Sequence, residues 1–316
     1  MQNADVAILW DARVFNAGFL VVKPSPFGQR LYQIVHELTK RSRIDDQKAL
    51  NMAIEMLTKE DQDELVLRVN VLDRNRFLSG FYYFLKYGQK LPKLCDGGEA
   101  SRKSVCPLVV HNNWIIGKEA KIYRFREHLM WKYDGNDQYY SSETRKYLTY
   151  TNPKPTTASA RKNVIERQIS ALKTALAIGH LINRVVILPT FHCGGPASFW
   201  PCSLNSVVDI KTFEDCFSGR YRESSFLRHP KVPDSVKQDV TDRKFSLHDN
   251  QRSNVLASGA DIMHLFSEIS AKVLTITNLQ QIKIAVNDGS FDDEFMNKTQ
   301  TAFRSSRMRQ APRQLH

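Results

Sequence analysis

Along the first part of the chain the apolar residues recur with two different periods, and the two alternate. Short apolar runs from Val6 to Trp10 and from Phe15 to Val22, the second broken by Asn16 and Gly18, have the length of strands. Leu31, Ile34, Val35 and Leu38 then recur at i, i+3, i+4 and i+7, which predicts an amphipathic helix. Ala49, Met52, Ala53, Met56 and Leu57 repeat that pattern in a second helix, with Asp45 as its N-cap. Leu65 to Leu72 and Pro107 to His111 read as further strands. Lys118 to Trp131 reads as a helix with Ile122, Phe125 and Leu129 on one side. Strands alternating with helices predict an α/β fold.

The pattern stops at the polar stretch Tyr133 to Ser142 and the proline-bearing segment Thr151-Asn152-Pro153-Lys154-Pro155, and then starts again. A long helix is predicted from about Lys162 to Asn183, with Ile165, Ile169, Leu172, Leu176 and Gly179 on its buried face. Val185 to Leu188 follows as a buried strand ended by Pro189. Residues 215–255 read as polar and irregular. Ile262, Leu265, Phe266 and Ile269 mark another helix, and Val273 to Ile276 another strand. The expected organisation is a first α/β domain over residues 1–140, a linker over 141–160, an α/β accessory domain over 161–290 and a disordered basic tail over 291–316.

Composition narrows the class. Of the 316 residues 42% are hydrophobic and 10% aromatic, which supports sizeable cores and excludes wholesale disorder. No apolar run approaches the roughly 18–20 residues that span a bilayer, and the opening residues Met1 to Asp5 do not form a signal peptide. The net charge of +12 favours an anionic partner such as a nucleic acid, an acidic membrane or a sugar nucleotide. Part of that charge is Arg304, Arg307, Arg309 and Arg313, read as a solvated tail, and no RNA- or DNA-binding motif accompanies them, so no nucleic-acid partner is expected. Cys95 and Cys106 bracket one polar loop and Cys193 and Cys202 another, leaving Cys216. Loop-closing disulfides would suit an oxidising lumen, and reduced thiols remain the alternative. Asn297-Lys298-Thr299 is a glycosylation sequon, of a kind frequent by chance.

Candidate chemistry gathers where predicted strands end, which is where open α/β sheets bind ligands. In Phe15-Asn16-Ala17-Gly18-Phe19 the glycine permits close approach of a ligand and the asparagine offers a donor and an acceptor to a sugar hydroxyl; a bulge or turn explains the same residues. Asp45-Asp46-Gln47 caps a helix. Its second carboxylate and its amide also suit a sugar, or the positive charge developing at an anomeric carbon. In His111-Asn112-Asn113-Trp114-Ile115-Ile116-Gly117-Lys118, a strand-end histidine suits a metal, and a Gly-Lys pair at a helix start suits a diphosphate.

Taken in order, Phe15 to Pro24, Ile44 to Gln47, Val71-Leu72-Asp73 with Phe77 and Gly80, and His111 to Lys118 resemble the nucleotide-diphospho-sugar transferase domain, the retaining family that includes plant cell-wall arabinosyl- and xylosyltransferases. The resemblance covers about residues 1–135. It implies a GT-A glycosyltransferase sheet, a UDP-sugar donor, a glycan or glycoprotein acceptor and a divalent cation, usually manganese, held in part by His111. It further implies donor contacts from Asn16, Gly18, Asn112, Gly117 and Lys118, catalytic roles for Asp45, Asp46 and Gln47, and a Golgi lumen as the compartment. The family's metal-binding Asp-x-Asp precedes the Asn-x-Gly strand; here only Asp5 and Asp11 precede Asn16, and neither belongs to such a motif. The chain is therefore read as a partial, N-terminally truncated sheet, catalytically inactive in the alternative reading, with any membrane anchor lost upstream. More weakly, Asn163 to Gln168, Ala175 to Ala177 and Leu181 to Pro189 are similar to protein O-fucosyltransferase-like domains, which implies a second, Rossmann-like α/β domain. Thr157 to Arg161 stands where that family has a Gly-rich loop, so this domain is read as accessory.

Overall fold

The computed structural model describes residues 4–59, 67–87, 107–152, 163–193, 200–245, 255–279, 282–284, 289 and 291–304. Its contacts divide the chain into two units, Met1–Ile116 and Gly117–His316. Both are mixed α/β.

In the first unit, β1 (Val6–Asp11) pairs antiparallel with β2 (Val14–Val22) and parallel with β3 (Val69–Val71), in the order β2-β1-β3. α1 (Pro26–Ser42) starts at Ser25, whose hydroxyl accepts from Gly28 N, and Pro26 supplies a preset φ at its first turn. α2 (Asp46–Lys59) follows. The two helices cover one face of the sheet. Leu31, Leu50, Ala53, Ile54 and Leu57 pack with Val6, Ile8 and Leu67, so the even positions of β1 make the core. Burying each of the valine, leucine and isoleucine side chains contributes about 1.5–3 kcal/mol. A parallel pair, β4 (Phe77–Ser79) and β5 (Val109–His111), completes the unit, with a π-type helix (Phe81–Tyr87) after β4.

The second unit opens with α3 (Lys118–Glu127). Its main sheet is five-stranded and parallel, in the order β10-β7-β6-β13-β11, from β6 (Tyr147–Tyr150), β7 (Val185–Ile187), β10 (Tyr221–Arg222), β11 (Val240–Arg243) and β13 (Val273–Ile276). The contact division falls at 116/117, whereas the polar stretch pointed to a boundary near 140. Tyr139 and Tyr140 are buried in this unit's core with Phe226 and Val232, and Tyr147–Tyr150, expected in the linker, is the middle strand. Aromatic side chains in a short polar-looking segment bury as fully as an aliphatic run.

α4 (Val164–Leu181) packs beside β6 and β7 and is buried on most of its circumference. Residues 215–255, expected to be irregular, contain the end of α5 (Ile210–Phe217), β10, α6 (Asp234–Gln238), β11 and the first residue of β12 (Val255–Ala257). α7 (Gly259–Phe266) carries a capping box between Ser258 and Asp261, and β14 (Ile282–Ile284) pairs with β12. The expected disordered tail begins instead with α8 (Asp293–Phe303), capped by Asp292 and anchored by Phe295, Ala302 and Phe303; residues 305–316 lie outside the described residues. β8 (Phe191–Cys193) and β9 (Trp200–Cys202) form a hairpin closed by a Cys193–Cys202 disulfide. Cys95 and Cys106 lie outside the described residues, and Cys216 is a free thiol. Among the described residues no helix is long and apolar enough to cross a membrane.

Candidate functional site

The segment around Asn16 is a bulge. The β1–β2 register runs Ile8↔Leu20 and resumes at Trp10↔Phe15, so Asn16, Ala17, Gly18 and Phe19 bow out opposite Leu9. Asn16 builds that bulge from inside. Its side chain is 3% exposed, its Oδ1 accepts from Gly18 N at 2.8 Å, and its Nδ2 donates to Asp11 Oδ2 at 3.0 Å. The amide thus shapes the chain around Gly18 while Gly18 itself is exposed.

His111, the last residue of β5, lies against that glycine. A Cβ at Gly18 would stand 2.8 Å from His111 Nε2 and 2.9 Å from Cε1, so the missing side chain makes the room the imidazole occupies. The loop beyond is pinned at β4: Gly80 N donates to Asn113 Oδ1 at 2.7 Å, and a Cβ at Gly80 would fall 2.2 Å from Asn113 O. Asn112 is buried, and Trp114 is exposed at φ +57. Phe81 packs on the Trp114 ring with centroids 5.2 Å apart.

Asp45, Asp46 and Gln47 start α2 as the sequence pattern indicated. Asp45 Oδ1 accepts from Lys48 N at 2.8 Å and Asp46 Oδ1 from Gln47 N at 2.8 Å; both carboxylates are exposed, and Gln47 is half-buried. One turn on, Asn51 Nδ2 donates to Gln47 O and to Phe15 O, and Asn51 Oδ1 accepts from Phe15 N. The start of α2 is therefore fastened to the residue just before Asn16. Gly117, at φ +94, and Lys118 open the second unit at the N-terminus of α3, where Gly117 is exposed and makes no side-chain cap, and Lys118 is exposed.

Sequence reasoning brought forward Asn16, Gly18 and His111, which the fold places together. It passed over Asp11, Asn51 and Asn113, which hold them. The signals available were weak: an acid directly after an apolar run, and an amide four residues beyond Gln47 on a helix.

A divalent cation needs several hard ligands. Among the described residues no group of three His, Cys, Asp or Glu side chains could hold one, and the Asp11 carboxylate is engaged by Asn16, Asn113 and Trp114. The described residues therefore do not fit a complete metal site.

Residues 3–125 match the family model described as nucleotide-diphospho-sugar transferase. The chain is also similar to the arabinosyltransferase XEG113 of Arabidopsis thaliana, with 25% identity over 205 residues, covering 56% of this chain and 30% of that protein. The chain thus spans less than a third of the length of that curated relative, and no solved structure matches it significantly. Residues 3–125, the stretch that carries the Asn16–Gly18 bulge, the Asp45–Gln47 helix start and His111, are thus similar to the nucleotide-diphospho-sugar transferase family, and the chain is similar to a plant arabinosyltransferase.

Proposed function

We propose that the first unit is the donor-side portion of a glycosyltransferase that moves a sugar, a pentose by analogy with the relative's name, from a UDP-sugar to a glycan or glycoprotein hydroxyl with retention of configuration. The observation that carries this reading is the seating of the His111 imidazole, at the end of β5, on Gly18 of the bulge in the middle of β2, which brings two of the motifs together. In the proposal the exposed edge at Gly18 accepts the sugar nucleotide, and His111 donates a hydrogen bond to it. Asp45 or Asp46 stabilises the oxocarbenium-like centre, since both carboxylates are exposed at the helix start. Gln47 and Asn112 orient the sugar. A manganese ion, where one takes part, would draw a ligand from His111. The second unit, with its parallel sheet, is read as a Rossmann-like accessory domain. The Cys193–Cys202 disulfide favours an oxidising compartment such as the Golgi lumen.

A second reading, a glycan-binding protein without turnover, is favoured by one observation: the lack of a three-ligand metal cluster among the described residues. Calorimetry with UDP and UDP-arabinose, with and without manganese, tests the first. Binding is expected, and His111→Ala should weaken it by about tenfold, the loss of roughly one hydrogen bond to a charged group. No nucleotide binding by the wild type, together with retention on immobilised arabinan, would establish the second reading instead.

A further inference from the structure

We infer that Asp11 is the positioning residue of this site: a buried carboxylate that fixes the Asn16 bulge and the loop after His111 relative to each other, and so sets the imidazole on Gly18. The inference rests on the donor-site reading above only for what the site binds.

Asp11 is the last residue of β1 and is 2% exposed. Its Oδ2 accepts from Asn16 Nδ2 at 3.0 Å and from Asn113 Nδ2 at 2.5 Å. The Trp114 indole Nε1 lies 2.9 Å from Oδ1 and 3.0 Å from Oδ2. The donors come from two segments far apart in sequence, one on β2 and the other just beyond β5, and they meet at this carboxylate. A buried carboxylate is tolerated when its oxygens are hydrogen-bonded, and bonds to an ionised acceptor are stronger than neutral ones. Three N–H groups directed at one pair of oxygens are therefore a strong constraint on both segments.

Two further features need that constraint. Trp114 sits at φ +57, the left-handed region a bulky side chain avoids, and its indole is held by Asp11 and by packing on Phe81. Asn16 shapes the chain at Gly18 with its Oδ1 while Asp11 holds its Nδ2, which fixes the orientation of the amide. The carboxylate touches neither His111 nor the exposed face of Gly18 in any bond described above. It acts through Asn16 on one side and through Asn113 and Trp114 on the other, and at 2% exposure it does not face solvent, which makes it a positioning residue.

Asp11→Asn tests this with almost no change of shape. The new amide NH₂ must face an N–H donor wherever it turns, so at least one of the three bonds is lost. The readout is the nuclear Overhauser contact between a Gly18 Hα and His111 Hε1, which the geometry makes short in the wild type. Asp11→Asn is expected to abolish it, and to speed solvent exchange of the Trp114 indole proton by about tenfold or more, the loss of one charge-assisted bond. Leu57→Ala, which destabilises the same unit's core without touching the loop, should leave the contact intact. If Asp11→Asn does not fold, the double variant Asn113→Ala, Trp114→Phe removes donors and keeps the carboxylate, and it should lose the contact too. Persistence of the contact at wild-type strength in Asp11→Asn, or in the double variant where that is the one that folds, overturns the inference. UDP affinity is measured alongside: a wild type that binds no UDP but loses the Overhauser contact in Asp11→Asn refutes the donor-site reading and upholds the positioning role.

Discussion

The side-chain amide of Asn51 takes both backbone hydrogen bonds of Phe15: Oδ1 accepts from Phe15 N at 2.9 Å and Nδ2 donates to Phe15 O at 2.8 Å. An amide side chain has the same donor and acceptor spacing as a peptide group. It can therefore replace a missing ladder partner where β2 leaves its register with β1. Asn51→Ala should cost about 2 kcal/mol, because two partly buried backbone groups lose their partners at once. Asn51→Asp should recover only part of that, since it keeps an acceptor for Phe15 N and sets an oxygen against Phe15 O. Urea unfolding of the three proteins checks the order; equal stability of Asn51→Ala and wild type would show that water replaces the amide at no cost.

Gly18→Ala separates binding from stability. The obstruction is the far end of the His111 side chain, which can swing, so stability should fall by only about 1 kcal/mol or less. The imidazole must leave its seat, however, so UDP binding should fall by at least about tenfold, provided the donor-site reading holds. Gly219→Ala is the contrasting control. Nothing stands within 4 Å of its added Cβ, but its φ of +75° makes the substitution a backbone penalty of about 1 kcal/mol, without effect on ligand binding. Calorimetry and thermal unfolding on both variants distinguish the two cases.

The two variants also show what was legible in the sequence. β1, β2, α1 and α2 were legible because they bury one face, and that face writes a period of two or of about 3.6 into the residue order. β11 was not: Val240–Arg243 is an edge strand with little burial, so Val-Thr-Asp-Arg carries no alternation. β6 was hidden for a different reason, since Tyr-Leu-Thr-Tyr is short and stands beside Asn152-Pro153, and only pairing on both sides makes it central. In the candidate site Asn16, Gly18 and His111 were legible as motif residues. The roles of Asp11 and Asn51 consist of bonds to residues 102 and 36 positions away, and no local pattern encodes such a partner.

Arg184 should be among the costliest single replacements in the second unit. It is 2% exposed and ends the loop before β7. Its Nη1 donates to Ala271 O at 2.7 Å and Tyr147 O at 3.1 Å, and its Nη2 to Ile269 O at 2.5 Å. One guanidinium thereby ties the starts of β7, β6 and β13. Arg184→Ala leaves those carbonyls unpaired and is expected to cost at least about 3 kcal/mol. Arg184→Lys should recover only a fraction, because an ammonium lacks the planar fork that reaches several acceptors at once. Guanidinium chloride unfolding of the two variants provides the test, and a lysine variant as stable as wild type would contradict the argument.

Glu127 makes the second unit's stability depend on pH in a direction opposite to the usual carboxylate. Burial pushes its pKa up to about 7. The nearby Glu223 carboxylate adds to the rise, while hydrogen bonds from Ser203 and Tyr123 and the Arg124 charge oppose it. In the unfolded chain the group titrates near its ordinary value of 4.5, so between about pH 4.5 and 7 the folded state holds a proton that the unfolded state has lost. Stability from this group is complete below the unfolded pKa and declines as pH rises through the folded one, by roughly 3 kcal/mol in all. His128 and His229 work the other way: burial lowers both, so their contribution to stability grows as pH rises towards the ordinary histidine value and is complete above it. The wild-type profile is therefore a sum, and a single variant isolates the glutamate. Glu127→Gln keeps the size and the hydrogen-bonding capacity but cannot ionise. Its stability should match the wild type near pH 4.5 and exceed it increasingly up to pH 8, with the histidine contribution common to both. Denaturant unfolding at several pH values gives that difference directly; a difference that stays flat from pH 4.5 to 8 would mean that Glu127 ionises in the folded protein at its ordinary pKa.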